Sequence, residues 1–127
     1  MRMGVIVAVV LLVMVLLGSW WAETAFDRVS AAYVSAAEEL RVMTEDGAWQ
    51  RAGETLDAYQ ARWAREAAWL RMVVRHAVID DVSQAMDRLA VGIRRQDPTL
   101  CALGCMELGR SAAAVHDGET LSLANLL

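Results

Sequence analysis

The sequence predicts an all-α protein in which an N-terminal transmembrane helix is followed by a small bundle of about four helices. Residues 4–22 contain no charged side chain. After them, apolar residues recur at alternating intervals of three and four, the period of a helix with one buried face. The chain has one Pro and is rich in Ala, Leu, Met, Arg and Glu, which is typical of helices. The expected domains are a transmembrane signal anchor, residues 1–22, and an extracytoplasmic helical bundle, residues 23–127.

The uncharged stretch has the length of a membrane span. At a rise of 1.5 Å per residue its 19 residues extend about 28 Å, close to the roughly 30 Å of a bilayer's hydrocarbon core. Trp20 and Trp21 close it, where interfacial aromatic residues are expected. A cleaved signal peptide is the alternative, but it needs a small residue three positions before the cleavage site. The candidate cleavage sites instead place one of four large or charged residues there: Trp20, Glu23, Leu16 or Leu17. We therefore favour an uncleaved anchor that contacts the lipid bilayer through residues 4–22.

Charge sets the expected orientation and excludes one class of partner. Arg2 precedes the span and Glu23 and Asp27 follow it, so the positive-inside rule predicts a cytoplasmic N-terminus and an extracytoplasmic domain. Because Arg2 is the one basic residue of the first 22, residues 23–127 carry 11 arginines against 16 acidic residues, a net charge of −5. This excludes the basic footprint of a nucleic-acid-binding protein, and an acidic domain is not expected to adhere to anionic headgroups.

Two helices are predicted directly after the span. The first has an apolar seam continuous with the span and ends at residues 44–47, where Gly47 is the expected turn residue. Its seam consists of Phe26, Val29, Tyr33, Ala36, Leu40 and Met43. The second seam consists of Trp49, Ala52, Leu56, Tyr59 and Trp63, extended by Trp69, Leu70 and Val73. Glu66 stands where an apolar residue is expected, and Arg62, one turn earlier, is its expected ion-pair partner.

Two more helices complete the predicted bundle. The third seam consists of Ile79, Val82, Met86, Leu89 and Ile93. The break before it is placed near residues 75–77, and a single helix over residues 49–95 is the alternative. Asp97 and Pro98 suit the N-cap and first position of the last helix, which is expected to run to about Val115 and to end at residues 116–118. The apolar residues 121–127 are expected to dock back onto the bundle.

Two sets of residues are candidates for an interaction surface. Small residues at four-residue spacing, among them Cys101, Cys105 and Gly109, let another helix approach closely. They favour tight packing inside the bundle, with a docking groove for a partner helix as the functional interpretation. Large aromatic residues, Trp49, Trp63 and Trp69, favour core anchors, with an exposed binding surface as the alternative. The spacing of the cysteines is poorly suited to a disulfide, so we expect buried thiols.

No catalytic, cofactor or metal site is predicted. Cys101, Cys105, His76 and His116 could form a zinc site, but their spacing matches no recognised motif and the cysteines lie within a helix. Each His is instead expected at a helix end. The sequence contains no Gly-rich phosphate loop, Ser-His-Asp order or His-Glu-x-x-His motif, so we do not expect an enzyme.

Several stretches resemble the bacterial family catalogued as domain of unknown function 4363. They are residues 49–52, 63, 69–70, 76–80 and 88–89, and above all the ending at His116 and residues 119–127. The resemblance implies a short cytoplasmic N-terminus, one span in the bacterial cell membrane and a charged helical domain. It implies no activity and no catalytic residues, and it suits a membrane partner. The chain departs from the family pattern in having Arg and Ala where Lys and Glu are usual.

Together these observations predict a single-pass, membrane-anchored helical module. We expect it to be a non-catalytic interaction partner of another envelope or membrane protein, with a homo-oligomer left open. The alternative is an extracytoplasmic sensor of a small ligand or metal, whose polar contacts would be His76, His116 and Glu66.

Overall fold

The computed structural model describes the backbone of residues 2–72 and 74–126, and the side chains of residues 2–72 and 74–116. Four helices occupy these ranges: α1 (Arg2–Glu45), α2 (Trp49–Leu70), α3 (His76–Arg94) and α4 (Pro98–Leu126). No strand occurs among the described residues. The predicted all-α class is confirmed, and the break between α2 and α3 excludes a single helix over residues 49–95.

Contacts between side chains show that α2 runs antiparallel to α1. Near the C-terminal end of α1, the Tyr59 hydroxyl donates a hydrogen bond to Glu39 Oε2 at 2.9 Å. More than three turns earlier in α1, the Phe26 ring packs against Trp69, with 5.9 Å between ring centroids. The C-terminal end of α2 therefore lies beside the part of α1 that follows residue 22.

The remaining helices complete an antiparallel bundle in which α4 packs most extensively against α1 and α3. His116 Nδ1 of α4 lies 2.6 Å from Asp27 Oδ1 of α1, and Arg88 of α3 forms an ion pair with Glu107 of α4. Since α4 begins at the far end of α1 and returns along it, one end of the bundle contains residue 27 of α1, residue 116 of α4, the C-terminus of α2 and the N-terminus of α3.

The core follows the predicted seams. All five residues of the third seam are buried, as are all of the first except Met43, which is partly buried. In the second seam Trp49, Tyr59 and Trp69 are partly buried, and Val73 lies outside the described residues. Within the part of α4 whose side chains are described, residues 98–116, the buried residues are Cys101, Gly104, Cys105, Leu108, Ala112 and Val115. One apolar core therefore joins all four helices.

The span and the first seam form one uninterrupted helix, as predicted. An 18-residue window of α1 has a mean hydropathy of 2.7 and none of it is buried. By length and composition this N-terminal helix could cross a membrane. Within α1, fully buried positions begin only at Phe26. The same helix thus supplies an unpartnered apolar segment and one wall of the bundle.

Local signals explain two of the turns. Gly47 adopts a φ of +72°, which favours glycine, between α1 and α2. Asp97 caps α4, because its Oδ1 accepts hydrogen bonds from the backbone N–H groups of Thr99 at 3.1 Å and Leu100 at 3.2 Å. Both predictions are confirmed. After α3, the residue in the left-handed conformation is Gln96, with a φ of +51°, where no glycine marks the turn.

The predicted end of the last helix is wrong. α4 does not stop near Val115 but continues to Leu126. A glycine such as Gly118 costs only about 1 kcal/mol inside a helix, and no proline follows to force a break. The expected docking of residues 121–127 lies outside the described side chains.

Candidate functional site

A surface groove runs between α1 and α4, which we term the α1–α4 groove. Its volume is about 650 Å³. It is lined by Val34, Ala37, Glu38 and Arg41 of α1 and by Ala102, Cys105, Met106, Gly109 and Arg110 of α4. Small side chains form much of this lining, so the groove is a shallow apolar channel along two antiparallel helices.

The small residues of α4 serve two different neighbours. On one side, a Cβ added to Gly104 would lie 2.9 Å from Leu89 Cγ and 3.3 Å from its backbone nitrogen, so even a methyl group would require Leu89 of α3 to shift. On the other side, a Cβ on Gly109 would lie 3.8 Å from Ala37 Cβ, an ordinary contact. The predicted tight packing is therefore found at Gly104, while Gly109 borders the groove.

Two of the large apolar side chains that are exposed after the span line the groove. Beyond the span, the exposed large hydrophobic residues among those described are Val34, Val42, Met72, Leu103 and Met106. Val34 and Met106 line the groove on opposite helices. Val42 and Leu103 lie on the same two helices. Four of the five thus belong to the helix pair that forms the groove.

Charged groups border the groove as well. The Arg41 guanidinium forms ion pairs with Glu38 and with Glu45, whose Oε1 lies at 2.7 Å. The hydrogen bond from Arg41 lowers the pKa of the Glu38 carboxyl. Arg110 lines the groove without an ion pair to any other described residue. The groove therefore combines apolar walls with one cation available to a partner.

The two cysteines are free and buried, as predicted. Cys101 packs toward α3, where its Sγ would lie 2.8 Å from a Cβ added to Gly92. Burial raises the pKa of the Cys105 thiol to about 12, and burial also raises the pKa of Cys101. Both are protonated near neutral pH, so neither has the thiolate of a reactive cysteine.

An aromatic cluster fills the other side of α1, between α1 and α2. Tyr33 is fully buried, and its ring meets Trp63 edge-on at 5.0 Å and Tyr59 at 6.0 Å. The Arg62 guanidinium carbon lies 5.7 Å from the centroid of the Tyr33 ring, within the range of a cation–π contact. Large rings thus separate α1 from α2, whereas small residues let α4 approach α1 closely.

Two polar atoms in this cluster are buried without a hydrogen bond. They are the Tyr33 hydroxyl and Glu66 Oε2, and no other buried side-chain nitrogen or oxygen among the described residues is without a hydrogen-bond partner. Glu66 Oε1 lies 3.1 Å from Arg62 Nε, which confirms the predicted ion pair. Burial, followed by the neighbouring Glu66 carboxylate, raises the pKa of Tyr33. The carboxylate is close enough to affect Tyr33 electrostatically, although the pair does not meet hydrogen-bond geometry.

The predicted aromatic residues occupy different environments. Trp63 is a core residue whose indole N–H donates to Ser83 Oγ at 3.0 Å. Trp49 and Trp69 are partly buried against the core. Trp20 and Trp21 remain 66% exposed on α1. Of the three bundle tryptophans, only Trp49 and Trp69 have surface for a partner to contact.

The polar residues proposed for a sensor or metal site have separate surroundings. His76 is exposed at the start of α3. His116 lies inside α4 beside Asp27, so its expected place at a helix end is wrong because α4 continues beyond it. Glu66 binds Arg62. Among the described residues, no three His, Cys, Asp or Glu side chains are grouped closely enough to hold a metal ion.

Sequence reasoning missed the walls of the groove. Val34 and Met106 lie outside the apolar seams, and only an apolar residue at an otherwise solvent-facing position could have indicated them. The buried Tyr33 was placed in a seam, but its unbonded hydroxyl and its proximity to Glu66 depend on how α1 and α2 pack together.

The fold and its surfaces define an all-α protein in which one long apolar helix continues into a four-helix bundle with an open apolar groove. The family described as Domain of unknown function (DUF4363) matches residues 20–126. The chain belongs to this family. No curated protein and no solved structure matches it.

Proposed function

We propose that this chain is a single-pass, membrane-anchored module that docks another membrane or envelope protein and has no catalytic activity of its own. Residues 4–22 would cross the bacterial cell membrane with the N-terminus in the cytoplasm, and residues 23–127 would form the extracytoplasmic bundle. The observation that carries the docking proposal is an apolar groove between two helices, with the exposed side chains of Val34 and Met106 on its opposite walls.

The exposed apolar segment of α1 supports the anchor. Its Val, Leu, Ile and Met side chains have no protein partner among the described residues, and each is about half exposed or more. Burying such surface in lipid is favourable by roughly 25 cal/mol per Å². A cleaved signal sequence would have the same length and composition. The uncleaved form is favoured because α1 continues without a break into the wall that carries Phe26 and Tyr33.

The shape of the groove suits a helix as the docked element. Ala37, Ala102 and Gly109 would let a helix backbone approach closely, while Val34 and Met106 would pack against its apolar side chains. A partner helix with an apolar face and an acidic residue placed opposite Arg110 would satisfy both the shape and the charge of the groove.

Position-specific cross-linking in intact cells tests this proposal. A photo-reactive side chain is introduced at Met106, in the groove, and separately at Gln50, an exposed position on α2. After purification from membranes in mild detergent, mass spectrometry should find one stoichiometric membrane or envelope protein linked to position 106 and none linked to position 50. Gly109→Leu, which fills the groove, should abolish the cross-link from position 106. Ala61→Leu, at an exposed position on α2, should preserve this cross-link.

Two outcomes would overturn the docking proposal. Cross-links to a second copy of this chain alone would make the groove a homo-oligomer interface. The absence of any link from position 106, in a protein that is expressed and folded, would mean that the groove is not a docking surface.

A further inference from the structure

The connection between α2 and α3 lies at the end of the bundle nearest the proposed membrane. Trp69, near the end of α2, contacts Phe26, and Phe26 lies about 6 Å along α1 from Ala22, at 1.5 Å per residue. Arg71 follows two residues after Trp69, just past the end of α2, about 3 Å closer to the span. The polar headgroup layer adds roughly 5–7 Å on each side of the hydrocarbon core, so this connection is level with the headgroups.

The side chains at this connection are cationic and apolar. Arg71 and Arg75 are exposed and form no ion pair with any other described residue. Met72 between them is 86% exposed, more than any other large hydrophobic side chain that the structure describes after the span. A long flexible apolar side chain between two arginines is typical of a surface that binds a membrane interface, with cations at the lipid headgroups and the apolar side chain in the outer acyl region.

The N-terminus of α3 adds to the positive potential at this end. No side chain caps it, and its first turn contains no acidic residue. The first backbone N–H groups of a helix carry partial positive charge and favour anions. Asp80 and Asp81 lie beyond that turn, farther from the span. On α1, Asp27 is bound to His116, which leaves Glu23 as the nearest acidic residue toward the span.

From this placement we propose that Arg71, Met72 and Arg75 bind the anionic phospholipid headgroups of the membrane in which α1 is anchored. The arginines would pair with headgroup phosphates and Met72 would enter the interface. The domain as a whole is acidic, so the contact is confined to this end and holds the bundle in one orientation on the bilayer. The inference rests on the proposed membrane anchor.

Fluorescence of the full chain in lipid nanodiscs tests the inference. Met72→Cys is labelled with an environment-sensitive dye, and Cys101 and Cys105 escape labelling because they are buried in the folded chain. Discs of phosphatidylcholine alone are compared with discs that also contain phosphatidylglycerol. We expect a blue-shifted emission and protection from the neutral quencher acrylamide only in the anionic discs.

Charge variants separate lipid binding from simple proximity. Because each arginine near an anionic surface strengthens the attraction, Arg71→Gln with Arg75→Gln should reduce the ratio of protected to accessible label by about tenfold or more. Arg94→Gln with Arg95→Gln, at the opposite end of α3, removes the same charge and should leave protection unchanged. Salt at about 1 M, where the screening length is roughly 3 Å, should also reduce it.

The outcomes distinguish the two proposals. Protein that fails to migrate with the discs would overturn the membrane anchor and with it this inference. Protein that migrates with the discs, but whose label is equally accessible in both lipids or equally protected in both pairs of charge variants, would overturn the headgroup contact and leave the anchor intact.

Discussion

Gly104→Ala should destabilise the bundle, although alanine is the better helix former. The added Cβ would lie 2.9 Å from Cγ and 3.3 Å from the backbone nitrogen of Leu89. A flexible side-chain end could move aside, but the backbone of α3 cannot do so without separating from α4. Gly109→Ala is the matched control on the same helix, because its Cβ would make only an ordinary 3.8 Å contact with Ala37.

The expected sizes follow from two opposing effects. Gly→Ala inside a helix gains about 1 kcal/mol, whereas overpacking a close contact costs roughly 1–3 kcal/mol. Gly109→Ala should therefore raise the free energy of unfolding by about 1 kcal/mol. Gly104→Ala should leave it unchanged or lower it by up to about 2 kcal/mol. The two variants should differ by about 1–3 kcal/mol.

Denaturant unfolding of the full chain in detergent, followed by far-UV circular dichroism, measures this difference. Both variants lose a glycine from α4, so changes in helix propensity cancel in the comparison. If Gly104→Ala proves as stable as Gly109→Ala, then α3 and α4 do not approach as closely as the structure has them, and the explanation of the small residues in α4 is wrong.

Three further predictions concern single side chains. Asp97→Ala should lower the free energy of unfolding by about 1 kcal/mol through loss of the N-cap, while Asp97→Asn retains most of it; equal losses in the same unfolding assay would contradict capping. Tyr33→Phe should leave stability unchanged or raise it, because the buried hydroxyl has no hydrogen bond, and a loss above about 1 kcal/mol would reveal one to Glu66. The pKa of the Cys105 thiol is about 12 in the folded chain, whereas an unfolded thiol has a pKa of about 8.5. The contribution of Cys105 to the free energy of unfolding should therefore be constant below about pH 8. Above about pH 8 it should fall by up to about 1.4 kcal/mol per pH unit. Cys105→Ala should show a shallower decline in a pH series of melts, and an unchanged slope would count against this cause.

Local patterns were enough to predict most of the fold. The three-and-four spacing identified the buried faces of α1 and α3, and Gly47 and Asp97 marked a turn and a cap through the conformations and hydrogen bonds they favour. These features depend on residues close together in the chain. The end of α4 was mispredicted for the same reason, because Gly118 is a local stop signal that the helix overrides.

The candidate site depends on which helices become neighbours, and local spacing does not determine that. Cys105 and Gly109 were predicted as part of a small-residue face, but only the antiparallel pairing of α4 with α1 makes that face one side of a groove. Trp63 and Trp69 have similar sequence surroundings. Trp63 is buried in the core, where Ser83 of α3 accepts a hydrogen bond from its indole, while Trp69 remains at the edge of the core.

The unbroken course of α1 limits which proteins could use the groove. No loop interrupts the helix between the proposed span and the bundle, so positions along α1 set the distance from the bilayer. Val34 lies about 18 Å and Arg41 about 28 Å beyond Ala22, at 1.5 Å per residue. A membrane protein whose extracytoplasmic part ends within a few residues of its own span would pass beneath the groove. The chain would therefore select partners by the length of helix they extend from the membrane, in addition to their surface chemistry.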